Sequence, residues 1–231
     1  MIQRPDTGAI EAVIFDFDGV LADTERLHLA AFQDVFEPRG WPLDERAYVD
    51  HYMGYDDAGL FAAYTADRGL LIGEAEFDRL LQEKSVAYRR RLGGGDVLYP
   101  GAVACIERLA PRFVLAVASG ALRDEIRDVL AIAGVLPRFR AIVGAEDVTE
   151  RKPAPEPYLA AAARVGVDPR ACVAIEDSRW GLASAAAAGM RTMAITTTSA
   201  ASSLTRANRI IAHLDELTLD AIESLAARPS P

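Results

Sequence analysis

Five short apolar runs, each closing on a polar residue, constrain this chain more than any other feature. They are residues 12–18 (AVIFDFD), 113–119 (FVLAVAS), 141–147 (AIVGAED), 171–177 (ACVAIED) and 190–196 (MRTMAIT). Near-continuous apolar runs of this length read as strands covered on both faces, as in a parallel sheet. A sixth run, 209–214, can add a strand at the end. Between them lie stretches with helical patterning at 102–109, 121–133, 156–165 and 181–188, and Gly134, Gly166 and Gly189 stand where three of these should stop. Strand alternating with helix predicts a Rossmann-like, doubly wound parallel α/β core.

The alternation breaks once. After the first run no further core strand is expected until Phe113, and the intervening segment reads as helical at 25–36, 44–52, 57–68 and 74–92, followed by Gly93-Gly94-Gly95. This predicts a small helical domain, residues 24–95, inserted into a core made of residues 1–23 and 96–231. Thr24 and Gly93–Gly95 are the expected hinges.

In an open parallel sheet, ligands bind outside the carboxyl ends of the strands. Four of the runs carry their chemistry there: Asp16-Phe17-Asp18, Ser119-Gly120, Glu146-Asp147 leading to Lys152, and Glu176-Asp177. Side chains two apart on a strand share a side, so Asp16 and Asp18 should project together. Crowded carboxylates raise one another's pKa, and a divalent cation relieves the crowding. An all-oxygen set that leaves room for water and phosphate suits Mg²⁺. Asp16 can then attack phosphorus, with Asp18 passing protons to the leaving group and from water. Lys152, in the stiff run Lys152-Pro153-Ala154-Pro155-Glu156-Pro157, supplies fixed positive charge, and Ser119 with nearby backbone N–H groups at Gly120 can hold phosphate oxygens. Ser119 can equally cap the next helix. Glu146 and Asp147 either support the site or are solvated. Trp180 is expected to pack, Tyr52, Met53 and Tyr55 to line a substrate pocket, and Arg89-Arg90-Arg91 to form a solvated helix face.

Composition narrows the partners. A net charge of −9 over 231 residues argues against nucleic acid. No apolar run reaches the ~18 residues of a membrane span, and the N-terminus lacks a signal-peptide pattern. Cys105 and Cys172 lie in apolar runs with no C-x-x-C pairing, which predicts buried thiols and a reducing cytoplasm. A monomer acting on a small phosphorylated metabolite is the expectation.

The stretch Asp16-Phe17-Asp18-Gly19-Val20-Leu21-Ala22-Asp23-Thr24 resembles the first motif of the haloacid dehalogenase-like hydrolase superfamily. Ser119 fits its second motif, Lys152 its third, and Glu176-Asp177-Ser178 with Gly181 its fourth. The resemblance implies a Rossmann-like core with a helical cap, and Mg²⁺ held by Asp16, the Asp18 backbone carbonyl and Asp177, with help from Glu176. Thr24 and His28 at the start of the cap look most like the β-phosphoglucomutase and phosphoglycolate-phosphatase-like group; both are candidates for contact with substrate, with an ordinary amphipathic-helix residue as the alternative for His28. Asp18 argues against dehalogenation. Lys84, the one lysine of the cap, lies far along its last helix from Met53-Gly54, which argues against Schiff-base chemistry. The cap segment His51–Asp57 (HYMGYDD) has no Lys or Arg to grip a second phosphate, which favours a phosphatase over a sugar phosphomutase. A catalytically silent phosphometabolite-binding module is the non-enzymatic alternative.

Overall fold

The computed structural model describes residues 8–53, 55–93 and 97–226. The chain divides into two compact units, one of Met1–Asp23 with Leu98–Pro231 and one of Thr24–Val97. The second crossing therefore falls at Leu98, two residues beyond the expected boundary.

The larger unit is built on six strands: β1 (Ala12–Phe15), β2 (Val114–Ala118), β3 (Phe139–Val143), β4 (Cys172–Glu176), β5 (Arg191–Ile195) and β6 (Arg209–Ile211). All pair in parallel in the order β3-β2-β1-β4-β5-β6. The central strand β1 is buried at every position, as its unbroken AVIF run requires of a strand covered on both faces. Its register sets Ile14 opposite both Ala116 and Ala174. The chain runs outward from β1 through β2 to β3, then returns to β1's other side for β4, so the strand order reverses between β1 and β4. The crevice of an α/β sheet opens at such a reversal.

The core helices are α5 (Ala102–Leu109), α6 (Arg123–Ile132), α7 (Glu156–Val165), α8 (Arg179–Ala187) and α9 (Leu219–Glu223), numbered after four in the inserted unit. Three elements depart from expectation at their ends. β1 stops at Phe15 and β3 at Val143, although Asp16 N–H still donates to the Ile175 carbonyl at 2.9 Å. Beyond β1 the chain turns sharply, with the Phe17 carbonyl accepting from Leu21 N–H at 2.8 Å. Helix α6 begins at Arg123 rather than 121, and its first N–H is held by the Glu146 carboxylate at 3.1 Å.

The inserted unit comprises α1 (Glu25–Phe36), α2 (Glu45–Ala47), α3 (Asp57–Asp67) and α4 (Glu74–Leu92). The single helix expected over 44–52 is instead the short α2 followed by a wide turn at Tyr48–Tyr52. An aromatic cluster joins these helices, with Phe36 and Tyr64 ring centres 4.3 Å apart and Phe32 and Phe61 5.2 Å apart. Tyr52 belongs to this core rather than to a pocket: it is buried, and its hydroxyl bonds Asp67 at 2.9 Å. Met53 and Tyr55 are exposed. Of Arg89-Arg90-Arg91, the last two are tied to Asp34 of α1, Arg91 through both carboxylate oxygens at 2.6 and 2.8 Å, so this run is not simply a solvated face. Gly54, Gly94 and Gly95, including two residues of the expected hinge, lie outside the described residues, while Gly93 ends α4 in helical conformation.

Lys84 is fully buried. Its ammonium lies 2.6 Å from Asp57 and 2.7 Å from Nδ1 of His28, so one charge ties α1, α3 and α4 together. Burial, then the lysine charge, lowers the His28 pKa to about 3. His28 is therefore a neutral imidazole accepting from Lys84. No helix among the described residues is long and apolar enough to cross a membrane. Both cysteines are free and buried, their thiol pKa values pushed up chiefly by burial to about 11 for Cys105 and about 12 for Cys172.

Candidate active site

The reversal between β1 and β4 brings Asp16, Glu176 and Asp177 together. Among the described residues these three offer carboxylate oxygens within 4.8 Å of one another. Lys152 stands against two of them, its Nζ 2.9 Å from Asp16 Oδ1 and 2.6 Å from Glu176 Oε1. Burial works against the Lys152 charge, but the flanking Asp16 and Glu176 carboxylates outweigh it and hold its pKa above the usual lysine value. Asp16 Oδ1 also accepts from Phe17 N–H at 2.7 Å.

Three buried carboxylates face one lysine. Burial first, then the Glu176 charge, pushes the Asp16 pKa well above the usual carboxylate range, with Lys152 opposing. Burial likewise raises Asp177, against a hydrogen bond from Thr198. The uncompensated charge and the all-oxygen donor set fit a hard divalent cation. Asp18 lies outside the carboxylate group, at the start of the tight turn over residues 18–22, where it bridges to Ala22. Its side chain is thus not one of the clustered donors, and its backbone carbonyl is the donor the family resemblance implies.

Glu176 is wholly buried. Its Oε1 accepts from Lys152 and from the Tyr158 hydroxyl at 2.8 Å, and its Oε2 from Ser178 Oγ at 3.0 Å and Asp177 N–H at 3.2 Å. This carboxylate is as much an anchor for Lys152 as a prospective metal ligand. The lysine loop is itself pinned. Glu156 accepts from Thr149 and Glu150 N–H at 3.0 and 2.7 Å, Ser184 Oγ donates to the Ala154 carbonyl at 2.5 Å, and the Lys152–Pro153 peptide is cis.

Ser119 is buried where β2 ends, and its hydroxyl accepts from Ala121 N–H at 3.1 Å, closing the turn before α6 without capping that helix. Gly120 beside it is exposed. Thr24 and His28 belong to the inserted unit. Thr24 is buried at the start of α1 without capping it through its side chain, and His28 is engaged by Lys84.

Glu146 and Asp147 serve the scaffold. Glu146 holds the N-terminus of α6, while Asp147 Oδ1 accepts from Arg123 and Arg164 at 2.7 Å each and Oδ2 from Gly144 N–H at 2.9 Å. Trp180 does not pack: it is 54% exposed, with the Arg179 guanidinium 4.5 Å from its ring centre.

Sequence reasoning missed the loop after β5. Thr198 Oγ1 donates to Asp177 Oδ2, and Thr197 Oγ1 donates to the Gly19 carbonyl. The run Thr196-Thr197-Thr198-Ser199 at a strand's carboxyl end was the available signal. Two glycines make room for the carboxylates. A methyl at Gly19, where φ is +79°, would overlap the Asp177 carboxylate, and one at Gly181 would overlap that of Glu176.

A family profile described as haloacid dehalogenase-like hydrolase matches residues 10–189. Protein CbbY of Rhodobacter capsulatus is 34% identical over 189 residues, covering 79% of this chain and 83% of its own. The fructose-1-phosphate phosphatase YqaB of Escherichia coli is 32% identical over 183 residues, covering 77% and 92%. A mutant of CbbY from Rhodobacter sphaeroides, solved in complex with xylulose-(1,5)bisphosphate, superposes with a TM-score of 0.80 at 26% identity, covering 93% of this chain and 99% of that one. With Asp16, Lys152, Glu176 and Asp177 gathered at one strand reversal and a family match over most of its length, the chain belongs to the haloacid dehalogenase-like hydrolases and is an enzyme of that family.

Proposed function

We propose that this enzyme is a Mg²⁺-dependent phosphatase that moves the phosphoryl group of a small phosphorylated sugar, or a similar metabolite, onto Asp16 and then to water. The observation that carries the proposal is the contact of Asp16 with Lys152 at 2.9 Å inside a buried carboxylate cluster at the sheet's reversal point. Relatives named for phosphorylated sugars support the substrate class.

In this account an Asp16 oxygen attacks phosphorus while the bond to the ester oxygen breaks. Asp18, protonated at the outset, gives its proton to the departing alkoxide. Asp18 then takes a proton from water as that water attacks the phosphoaspartate, releasing phosphate and restoring the Asp16 carboxylate. Lys152 keeps Asp16 oriented and stabilises charge on the phosphoryl oxygens, assisted by Ser119 and the Gly120 N–H. Asp16, Asp177 and the Asp18 carbonyl would hold Mg²⁺, with Glu176 contributing. When bound, the ion supplies positive charge that lets buried carboxylates and a phosphoryl group coexist.

The inserted unit is proposed to act as a cap that selects the substrate and excludes water during the first transfer. Phosphatase is favoured over mutase because the segment His51–Asp57 carries no Lys or Arg to hold a second phosphate. Phosphate release from a panel of sugar phosphates, measured with Mg²⁺ and with excess chelator, tests the proposal. Metal-dependent release by the wild type and none by Asp16→Asn is expected. Release that survives in Asp16→Asn, or no release from any panel member by folded protein, would overturn it.

A further inference from the structure

Tyr158 directly follows the stiff run from Lys152 to Pro157. It lies in the first turn of α7 and is wholly buried among small residues of the sheet and of its own helix, Ala116, Ala118, Ala161 and Ala174 among them. Alanines on adjacent strands leave a slot that a large ring fills, and phenylalanine would fill it equally well. What phenylalanine lacks is the hydroxyl, and that hydroxyl reaches Glu176 Oε1 at 2.8 Å. The same oxygen accepts from Lys152 at 2.6 Å, and Lys152 in turn contacts Asp16 at 2.9 Å. The Lys152 ammonium also lies 5.0 Å from the Tyr158 ring centre.

We infer that Tyr158 is a positioning residue for the reaction: its hydroxyl occupies Glu176 Oε1 so that Lys152 is shared between Glu176 and Asp16. Without the hydroxyl, Oε1 has an acceptor site to fill, and the nearest donor is the ammonium already bonded to it. The lysine is then drawn towards Glu176 and away from Asp16. Tyr158 touches no reacting atom and acts only through this relay. The inference rests on the phosphatase reading for its kinetic consequence, but the relay itself is a property of the folded chain.

The test compares Tyr158→Phe with wild type, and with Cys172→Ala as a packing control from the same buried cluster. Tyr158 bonds Glu176, a prospective metal ligand and the partner of Lys152, and loss of such an outer partner typically costs about 10- to 100-fold. Tyr158→Phe should therefore lower kcat by roughly 10-fold with KM within about twofold. In ¹⁵N-lysine spectra the Lys152 ammonium resonance should shift. Cys172→Ala should lose stability but keep kcat and leave that resonance in place. A Tyr158→Phe kcat within twofold of wild type, an unmoved Lys152 resonance, or an equal kcat loss in Cys172→Ala would each overturn the inference. If the wild type releases no phosphate from any sugar phosphate, the phosphatase reading fails, and the resonance alone decides whether the relay exists.

Discussion

Replacing Gly19 by alanine should harm this protein in two separable ways. The residue has φ +79°, a left-handed conformation that costs a residue with Cβ about 1–2 kcal/mol. The new methyl would also overlap the Asp177 carboxylate and sit 3.0 Å from Thr198 Cγ2. Asp177 must then rotate and give up its hydrogen bond from Thr198, worth about 1.5–3 kcal/mol for a charged acceptor. The two effects together come to roughly 3–5 kcal/mol, a fall in Tm of about 6 °C or more for a chain of this size. Gly166→Ala isolates the first effect, since Gly166 has φ +74° with nothing within 4 Å of the added methyl. It should lower Tm by only a few degrees and leave phosphate release unchanged. Gly181→Ala isolates the second. No left-handed φ is involved, and helix propensity favours alanine by about 1 kcal/mol, yet the methyl would displace Glu176. Its signature is lost activity out of proportion to lost stability. Thermal unfolding in chelator and phosphate release in Mg²⁺ measure the two quantities. Wild-type Tm and activity in Gly19→Ala, or full activity in Gly181→Ala, would refute the packing of glycines against carboxylates on which the site depends.

Asp147→Asn should destabilise the protein by about 2 kcal/mol while sparing activity, because Asp147 accepts from Arg123, Arg164 and Gly144 and is no part of the reaction. Its folded pKa is lowered, chiefly by the Arg164 hydrogen bond, so its stabilisation is present at neutral pH and is lost as pH falls from the unfolded carboxylate value through the depressed folded one. Acid unfolding curves of wild type and Asp147→Asn should converge at low pH. Lys84→Met should cost about 3 kcal/mol by stranding Asp57, and adding Asp57→Asn should restore part of that loss, measured by denaturant titration. Mg²⁺ should raise Tm by relieving the carboxylate cluster, with about 2.7 kcal/mol of stabilisation at a hundred times its Kd, and this shift should vanish in Asp177→Asn.

Much of the architecture was legible because the signal was local. Near-continuous apolar runs marked the buried strands, and four helices, α1, α4, α5 and α7, begin and end where the pattern puts them. Strand-end polarity located Asp16, Lys152, Glu176 and Asp177, because a parallel sheet brings the carboxyl ends of sequence-distant strands to one crevice. What escaped depends on pairing at a distance. Nothing near Arg91 announces Asp34, and nothing near Lys84 announces Asp57 and His28. Glu146 and Asp147 looked like continuations of the logic that identified Glu176 and Asp177, but β3 ends earlier and its acids turn to the N-terminus of α6 and to two arginines. Tyr158 reads as core in any periodicity, since only its last atom is polar, and Thr197 and Thr198 read as loop.

The central claim is that the phosphoryl group passes through Asp16. Rapid acid quench of the enzyme turning over a ³²P-labelled sugar phosphate, with Asp18→Ala used to slow the second step, measures this directly. Protein-bound label that hydroxylamine removes, mapped to the peptide containing Asp16 and absent from Asp16→Asn, is expected. Phosphate release by wild type with no protein-bound label at any quench time in either protein, or label on another residue, would contradict it.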